Sequence, residues 1–319
     1  MGFEVAAEVA LALTDSCRRI EAGTRPAERE AACQSELAKS DFRHMFRLSP
    51  QAAILLARTL SGDSKASGEW LGAWKREYPR HISVPEMPDL AQAATVLPWC
   101  WYLQFQFELA RPVITLDEDS FGPTDNMIRK ERATGIPSIA GSSWKGLLFS
   151  TFCALHPDWD AQEQLHEDVQ SLFGHADAGS EDEEPRRGVL YFFPSFFDKI
   201  NLYTLHPLNR KKKTGTPITY EAVPEGGKAW FSLLYSPTDA YAHRPRELRA
   251  RSERHAELIA DAVATTMLQT GFGAKTSSGF GQSKDELPGS GIVFVGGKQC
   301  SFSRLVELAD VAAILRRQS

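Results

Sequence analysis

Between Trp99 and Leu109 the side chains alternate. Trp101, Leu103, Phe105, Phe107 and Leu109 interleave with Tyr102, Gln104, Gln106 and Glu108. A period of two is that of a β-strand, whose successive side chains leave opposite faces, so the run predicts a half-buried strand with one wet face. The residues after it change period. A polar loop, Asp117–Arg132, leads through Ile136–Gly141 to Ser142 and Ser143, and then Trp144, Leu148, Phe152 and Leu155 recur at helical spacing. Serine is a good N-cap, so a helix is expected to start there. Val189–Phe193 and Lys228–Tyr235 read as further strands, and Arg254–Thr270 as a second helix with Leu258, Ile259, Ala262, Val263 and Met267 as its apolar stripe. A glycine-rich loop follows, with a strand expected near Phe280, another at Ile292–Val295 and a short helix at Leu305–Arg316. Residues 1 to 97 read mainly as helix, interrupted by a Gly/Ser/Asp loop at Ser61–Ser67.

The order within residues 98–287 is thus β-α-β, an insertion at 194–227, β-α, a glycine loop and β. That is the ferredoxin-like (RRM-like) order of an α+β domain. A helical region, 1–97, precedes it, and a strand and helix, 288–319, close the chain. At 319 residues, with 42% hydrophobic and 24% charged residues, the composition is that of a soluble globular protein. No apolar run approaches the roughly 20 residues that span a bilayer, so no membrane partner is expected. Five widely spaced cysteines form no CxxC pair, which argues against zinc and disulfides and fits a reducing cytoplasm. The net charge of −5 argues against a generic nucleic-acid coat, but it is unevenly spread. Acids gather at Glu181–Glu184, and bases at Arg210–Lys213 and in Arg244, Arg246, Arg249, Arg251 and Arg254.

The segment Gly271–Gly281 reads GFGAKTSSGFG. A phosphate-cradling P-loop requires Gly directly before its Lys, where Ala274 stands, and it joins a strand to a following helix, whereas this loop leaves a helix. A helix C-cap followed by a hairpin-like turn accounts for one glycine. Four glycines also let a backbone approach another chain closely. With Gly271, Gly273, Lys275, Thr276, Ser277 and Gly279, the loop has the groups to meet phosphates and 2′-hydroxyls of RNA. Earlier, Gly141, Ser142 and Ser143 would present free amides and hydroxyls at a helix N-terminus with Lys145 in its first turn, an arrangement suited to a phosphate or to simple capping.

Both blocks carry a resemblance. GFGAKTSSGFG resembles the carboxy-proximal glycine-rich loop of the RAMP superfamily, the repeat-associated mysterious proteins. Gly135–Gly146 (GIPSIAGSSWKG) resembles a second block of the same family, departing from it at Ala140, where Pro is usual, and at Trp144, where Leu is usual. The loop before it, Asp125–Glu131, resembles a stretch of target-cleaving backbone subunits of Cmr and Csm complexes. Met127 departs from that pattern, in which Pro is usual. Asp125 falls on the Asp that supports cleavage there, and Arg129 and Lys130 lie beside it.

The resemblance implies a crRNA-binding backbone subunit of a type III CRISPR effector complex, with crRNA, target RNA and other subunits as partners. It implies a metal-dependent endoribonuclease role for Asp125, as proton acceptor or as a ligand of Mg²⁺. A turn-forming Asp in a polar loop is the alternative for that residue. It also implies that 194–227 forms a hairpin thumb, which would bring Tyr203, His206, Arg210, Lys211, Lys212 and Tyr220 to RNA. A non-catalytic capping subunit and a guide-processing endonuclease remain alternatives within the family, and a nucleotide-binding enzyme outside it.

Overall fold

The computed structural model describes residues 80–96, 99–115, 126–132, 134–175, 186–205, 218–237, 245–295 and 298–310. Its elements, in chain order, are β1 (Arg80–His81), α1 (Leu90–Val96), β2 (Trp101–Glu108), β3 (Ser138–Ile139), α2 (Gly141–Leu155), α3 (Glu163–Phe173), β4 (Gly174–His175), β5 (Arg186–Arg187), β6 (Leu190–Phe192), β7 (Ser195–Phe196), β8 (Lys199–Leu205), β9 (Ile218–Ala222), β10 (Lys228–Tyr235), α4 (Pro245–Thr265), β11 (Glu286–Val295) and β12 (Lys298–Arg304). A π turn, Thr266–Thr270, continues α4, and a 3₁₀ turn, Thr276–Ser278, lies within the glycine loop. Helices and antiparallel strands together make an α+β protein, as the sequence predicts.

The chain divides into two units. One comprises 1–79, 117–127 and 202–221, and the other 80–116, 128–201 and 222–319. In the second, β2 is the central strand of a five-stranded antiparallel sheet of order β12-β11-β2-β10-β6. Its alternating side chains explain that position. Phe105 and Phe107 are fully buried, and Phe105 lies opposite Phe231 of β10 with ring centroids 5.2 Å apart. Trp101 likewise stacks on its partner Tyr235. Trp144 of α2 closes over this face, edge-on to both Phe107 and Phe231. Leu148, Thr151 and Phe152 continue the buried side of the helix.

The other face of β2 is drier than the alternation predicts. Leu90 and Ala94 of α1 pack with Cys100 and Tyr102, and Phe193, Leu234, Ile292 and Phe294 border the cluster. Gln104 is half-buried and satisfies its amide on Pro88 O (3.3 Å) and on Ser232 Oγ (3.1 Å), so a polar residue is accommodated there.

Three expectations are corrected. The helix after the first block begins at Gly141, with Ala140 at its N-cap. Ala140 is extended, and its carbonyl accepts from the Ser143 and Trp144 amides, so neither serine caps the helix. The second helix starts at Pro245 rather than Arg254. Phe280 lies in loop rather than strand, because the chain after it turns back to bond Met267 and Glu108 before β11 starts at Glu286. Within the 194–227 insertion, β8 and β9 are neighbouring strands. In the first unit Thr204 and Thr219 lie across from each other, and Asn126 bridges to Tyr220. Most of the helical region expected at 1–97 lies outside the described residues.

Candidate nucleic-acid interface

The glycine segment leaves the π turn through a bond from Gly271 N to Thr266 O. Phe272 then plunges inward. It is fully buried, edge-on to Phe107 (5.5 Å) and beside Trp144 (5.0 Å), which roots the loop in the sheet's core. Two cross-bonds fix the loop's base: Phe272 N donates to Gly281 O (2.8 Å) and Gly281 N to Pro112 O (2.9 Å). One limb also runs beside the segment after β2, where Ala274 N donates to Ile114 O (2.6 Å). Gly273 has φ +88, and a Cβ there would lie 2.6 Å from Ile114 O, so this close approach needs glycine. The tip projects from that base. Lys275 and Gly279 are both left-handed and bracket the 3₁₀ turn, and Lys275, Ser277 and Ser278 are exposed.

Against this loop stands the N-terminal turn of α2. Together they open a cavity of about 290 Å³ lined by Thr115, Arg129, Ser138, Ile139, Ser143, Leu147, Gly273 and Ala274. Arg129 is held through its backbone, with its amide donating to Thr115 Oγ1 (2.7 Å) and its carbonyl accepting from Ser138 N (3.1 Å). The side chain is exposed. The lining therefore offers one guanidinium, three hydroxyls and the first turn of a fifteen-residue helix, with no carboxylate. Helix N-termini carry unsatisfied amides and a positive dipole end, so the site suits an anion. It does not suit Mg²⁺, which needs oxygen ligands including carboxylates. Among the described residues, no three metal-ligating side chains gather anywhere.

The two sequence blocks thus meet in space. Arg129, Ser143 and Gly273 line one cavity. Gly141, Ser142 and Lys145 occupy the same helix turn, with Ser142 and Lys145 exposed, and Lys130 lies beside Arg129 in a bridge to Pro137. Gly271 is buried at the loop's root, away from the lining. Asp125, His206, Arg210, Lys211 and Lys212 lie outside the described residues. Thr115 and Leu147 were not singled out from the sequence, and Thr115 carries no motif by which it could have been.

Within α4, two arginines of the basic segment pair with acids. Arg249 pairs with Glu253 at 2.9 Å, and Arg254 with Asp168 of α3. Asp168 also meets the ring of His255, whose other nitrogen faces the Tyr235 hydroxyl.

The α+β fold thus sets a glycine loop, rooted in the sheet's core, opposite a helix N-terminus across an acid-free cavity. The sequence matches the RAMP superfamily over residues 64–284, more than half of its length, and the chain belongs to that family. No curated protein matches it significantly. Among solved structures it is similar to a chain of the type III-B Cmr-β complex bound to cognate target RNA, with 14% identity, a TM-score of 0.48, and coverage of 80% of this chain and 98% of that one. It is also similar to a chain of the Csm3–Csm4 subcomplex of the type III-A interference complex (13%, 0.39, 69% and 97%). A third is a chain of a CRISPR RNA-guided surveillance complex (12%, 0.39, 60% and 68%). The family assignment rests on the sequence match. Among the described residues no helix is long and apolar enough to cross a membrane.

Proposed function

We propose that the chain is a crRNA-binding backbone subunit of a type III CRISPR effector complex, with a ferredoxin-like core and a hairpin thumb at 194–227, acting with target RNA and other subunits. The observation that carries this reading is the meeting of the two family blocks at one acid-free cavity. A single-stranded RNA can lay a phosphate at the α2 N-terminus while its ribose approaches the glycine loop, and Arg129 and Lys275 supply charge on either side. Purifying the protein from its host and identifying short RNA and copurifying subunits tests the assignment. Recovery of the protein free of RNA and of partners would end it.

For the isolated contact, Arg129→Ala is expected to weaken binding to a short RNA about tenfold and to lower the slope of log affinity against log salt by about 1. Titration at several salt concentrations measures both. An unchanged slope would remove Arg129 from the phosphate contacts.

Cleavage is a separate proposal and rests on Asp125. Its carboxylate would take the proton from a ribose 2′-hydroxyl as that oxygen attacks the neighbouring phosphate, forming a 2′,3′-cyclic phosphate while the P–O5′ bond breaks and the departing 5′-oxygen takes a proton from water. Asp125→Ala in the reconstituted complex is expected to abolish cleavage of target RNA while guide binding stays within about twofold, since one distal contact accounts for little of an interface. Cleavage persisting at every position would make the chain a non-catalytic subunit.

A further inference from the structure

Ser143, Leu147 and Thr151 are spaced four residues apart on α2 and therefore share one face of the helix. The first two line the cavity. Thr151, one turn further on, is 3% exposed and receives a hydrogen bond of 2.9 Å from the hydroxyl of Thr266, itself 1% exposed. Thr266 opens the π turn that leads into the glycine loop. The helix that bears one wall and the turn that leads to the other are thus fastened to each other by a buried hydroxyl pair.

The π turn ties the loop at its other side too. A wide turn leaves carbonyls without helical partners, and here the return limb of the loop takes them. Met267 O accepts from both the amide (2.9 Å) and the hydroxyl (3.1 Å) of Ser283, and Gln269 O accepts from the Gln282 side chain (3.1 Å). π turns recur where a helix must be re-aimed at a functional segment. Here the extra residue aims the chain so that Phe272 enters the core and Gly273 reaches the cavity.

We infer that the Thr151–Thr266 pair, with the π turn it anchors, sets the spacing between the α2 N-terminus and the glycine loop, and that these two threonines are positioning residues for the RNA site. The inference rests on the proposed RNA-binding function and adds residues that touch no ligand. Two polar walls can share one phosphate only at a fixed separation. A loosened anchor therefore weakens binding without removing a charge.

The test compares Thr151→Val and Thr266→Val with wild type in RNA titrations at several salt concentrations. Each variant leaves one buried hydroxyl without its partner, and about a tenfold loss of affinity is expected with the salt slope unchanged. Thr266→Ser, which keeps the hydroxyl, should restore binding. Leu172→Ala, a core truncation in α3 that contributes nothing to the cavity lining, serves as a control for loss of stability and should bind as wild type does. Wild-type affinity in both valine variants overturns the inference. A slope reduced by about 1 also overturns it, because that marks a phosphate contact. Equal weakening in Leu172→Ala would reduce the effect to general loosening and overturn it as well. Hydrogen exchange of the amides at Gly273–Gly279 provides a readout that needs no RNA. Faster exchange there in Thr266→Val alongside a wild type that binds no RNA would keep the anchor and discard the RNA reading. Unchanged exchange discards the anchor in either case.

Discussion

Gly281→Ala is expected to destabilise the fold by about 4 kcal/mol and to lower the melting temperature by roughly 10 °C. Two independent costs combine. Gly281 has φ +73, a left-handed conformation that costs an L-residue about 1–2 kcal/mol. An added Cβ would also lie 1.8 Å from Phe272 O and within 3 Å of Phe272 C and N. Those atoms are backbone and cannot rotate away. Nor can Phe272 retreat, because its ring is fully buried against Phe107 and Trp144. Overpacking of this kind costs about 1–3 kcal/mol more. Gly279 is the matched comparison. It too is left-handed at φ +82, but nothing lies within 4 Å of the added carbon. Gly279→Ala should therefore show only the conformational cost, about 1–2 kcal/mol. Thermal melts of the two variants check the difference. Equal melting temperatures would mean that the base of the loop gives way, and that the cross-bonds between Phe272, Gly281 and Pro112 do not hold it.

The sequence shows this loop's motif but not its anchoring, and the same division runs through the molecule. β2, α2 and β10 were legible because large apolar residues recur there at clean periods of two or near four. The start of α4 was not, since Arg246–Glu253 offers only Leu248 and a buried Ser252 to the interior and otherwise resembles a solvated segment. Phe280 suggested a strand because aromatic residues favour strands, yet backbone bonds to neighbouring segments determine that stretch. The cover over Tyr102 was missed because Leu90 and Ala94 of α1, which pack with it, are separated by polar and small residues in a short helix. At the candidate site, each family block was readable by itself. Their meeting at Arg129, Ser143 and Gly273 is a tertiary fact, and Thr115 and Leu147 enter only through it. Asp168 and His255 were invisible for another reason. On a helix, a polar residue facing inward has the same letter as one facing water, and only the partner at the other end tells them apart.

That pair carries the second large effect. Asp168→Ala is expected to cost about 2–3 kcal/mol, because it leaves the buried ring N–H of His255 without its acceptor and removes the partner of the half-exposed Arg254. Asp168 is 3% exposed and bonds His255 Nε2 through Oδ1 (3.1 Å) and Arg254 Nε through Oδ2. His255 is fully buried and also meets the Tyr235 hydroxyl at 3.2 Å. A neutral imidazole donating to Asp168 and accepting from Tyr235 satisfies all three groups. Burial pushes His255 below its ordinary range, although the carboxylate pulls the other way. Burial would raise Asp168, but hydrogen bonds from His255 and Arg254 outweigh it and hold the carboxyl below its usual value. Both folded-state values being depressed, the unfolded chain binds protons first as pH falls. Stability therefore declines below about pH 6.5 through the histidine and again below about pH 4 through the aspartate. Without the carboxylate, burial acts on His255 with less opposition, so the decline below about pH 6.5 should persist and extend lower in Asp168→Ala. The contribution below about pH 4 should vanish. Denaturant unfolding of wild type and variant from pH 8 to 3.5 measures both limbs. A wild type whose stability instead rises as pH falls from 8 to 6 would show that His255 is protonated in the folded protein and that the pair is an ion pair. Asp168→Ala would then expose a buried cation and be costlier still.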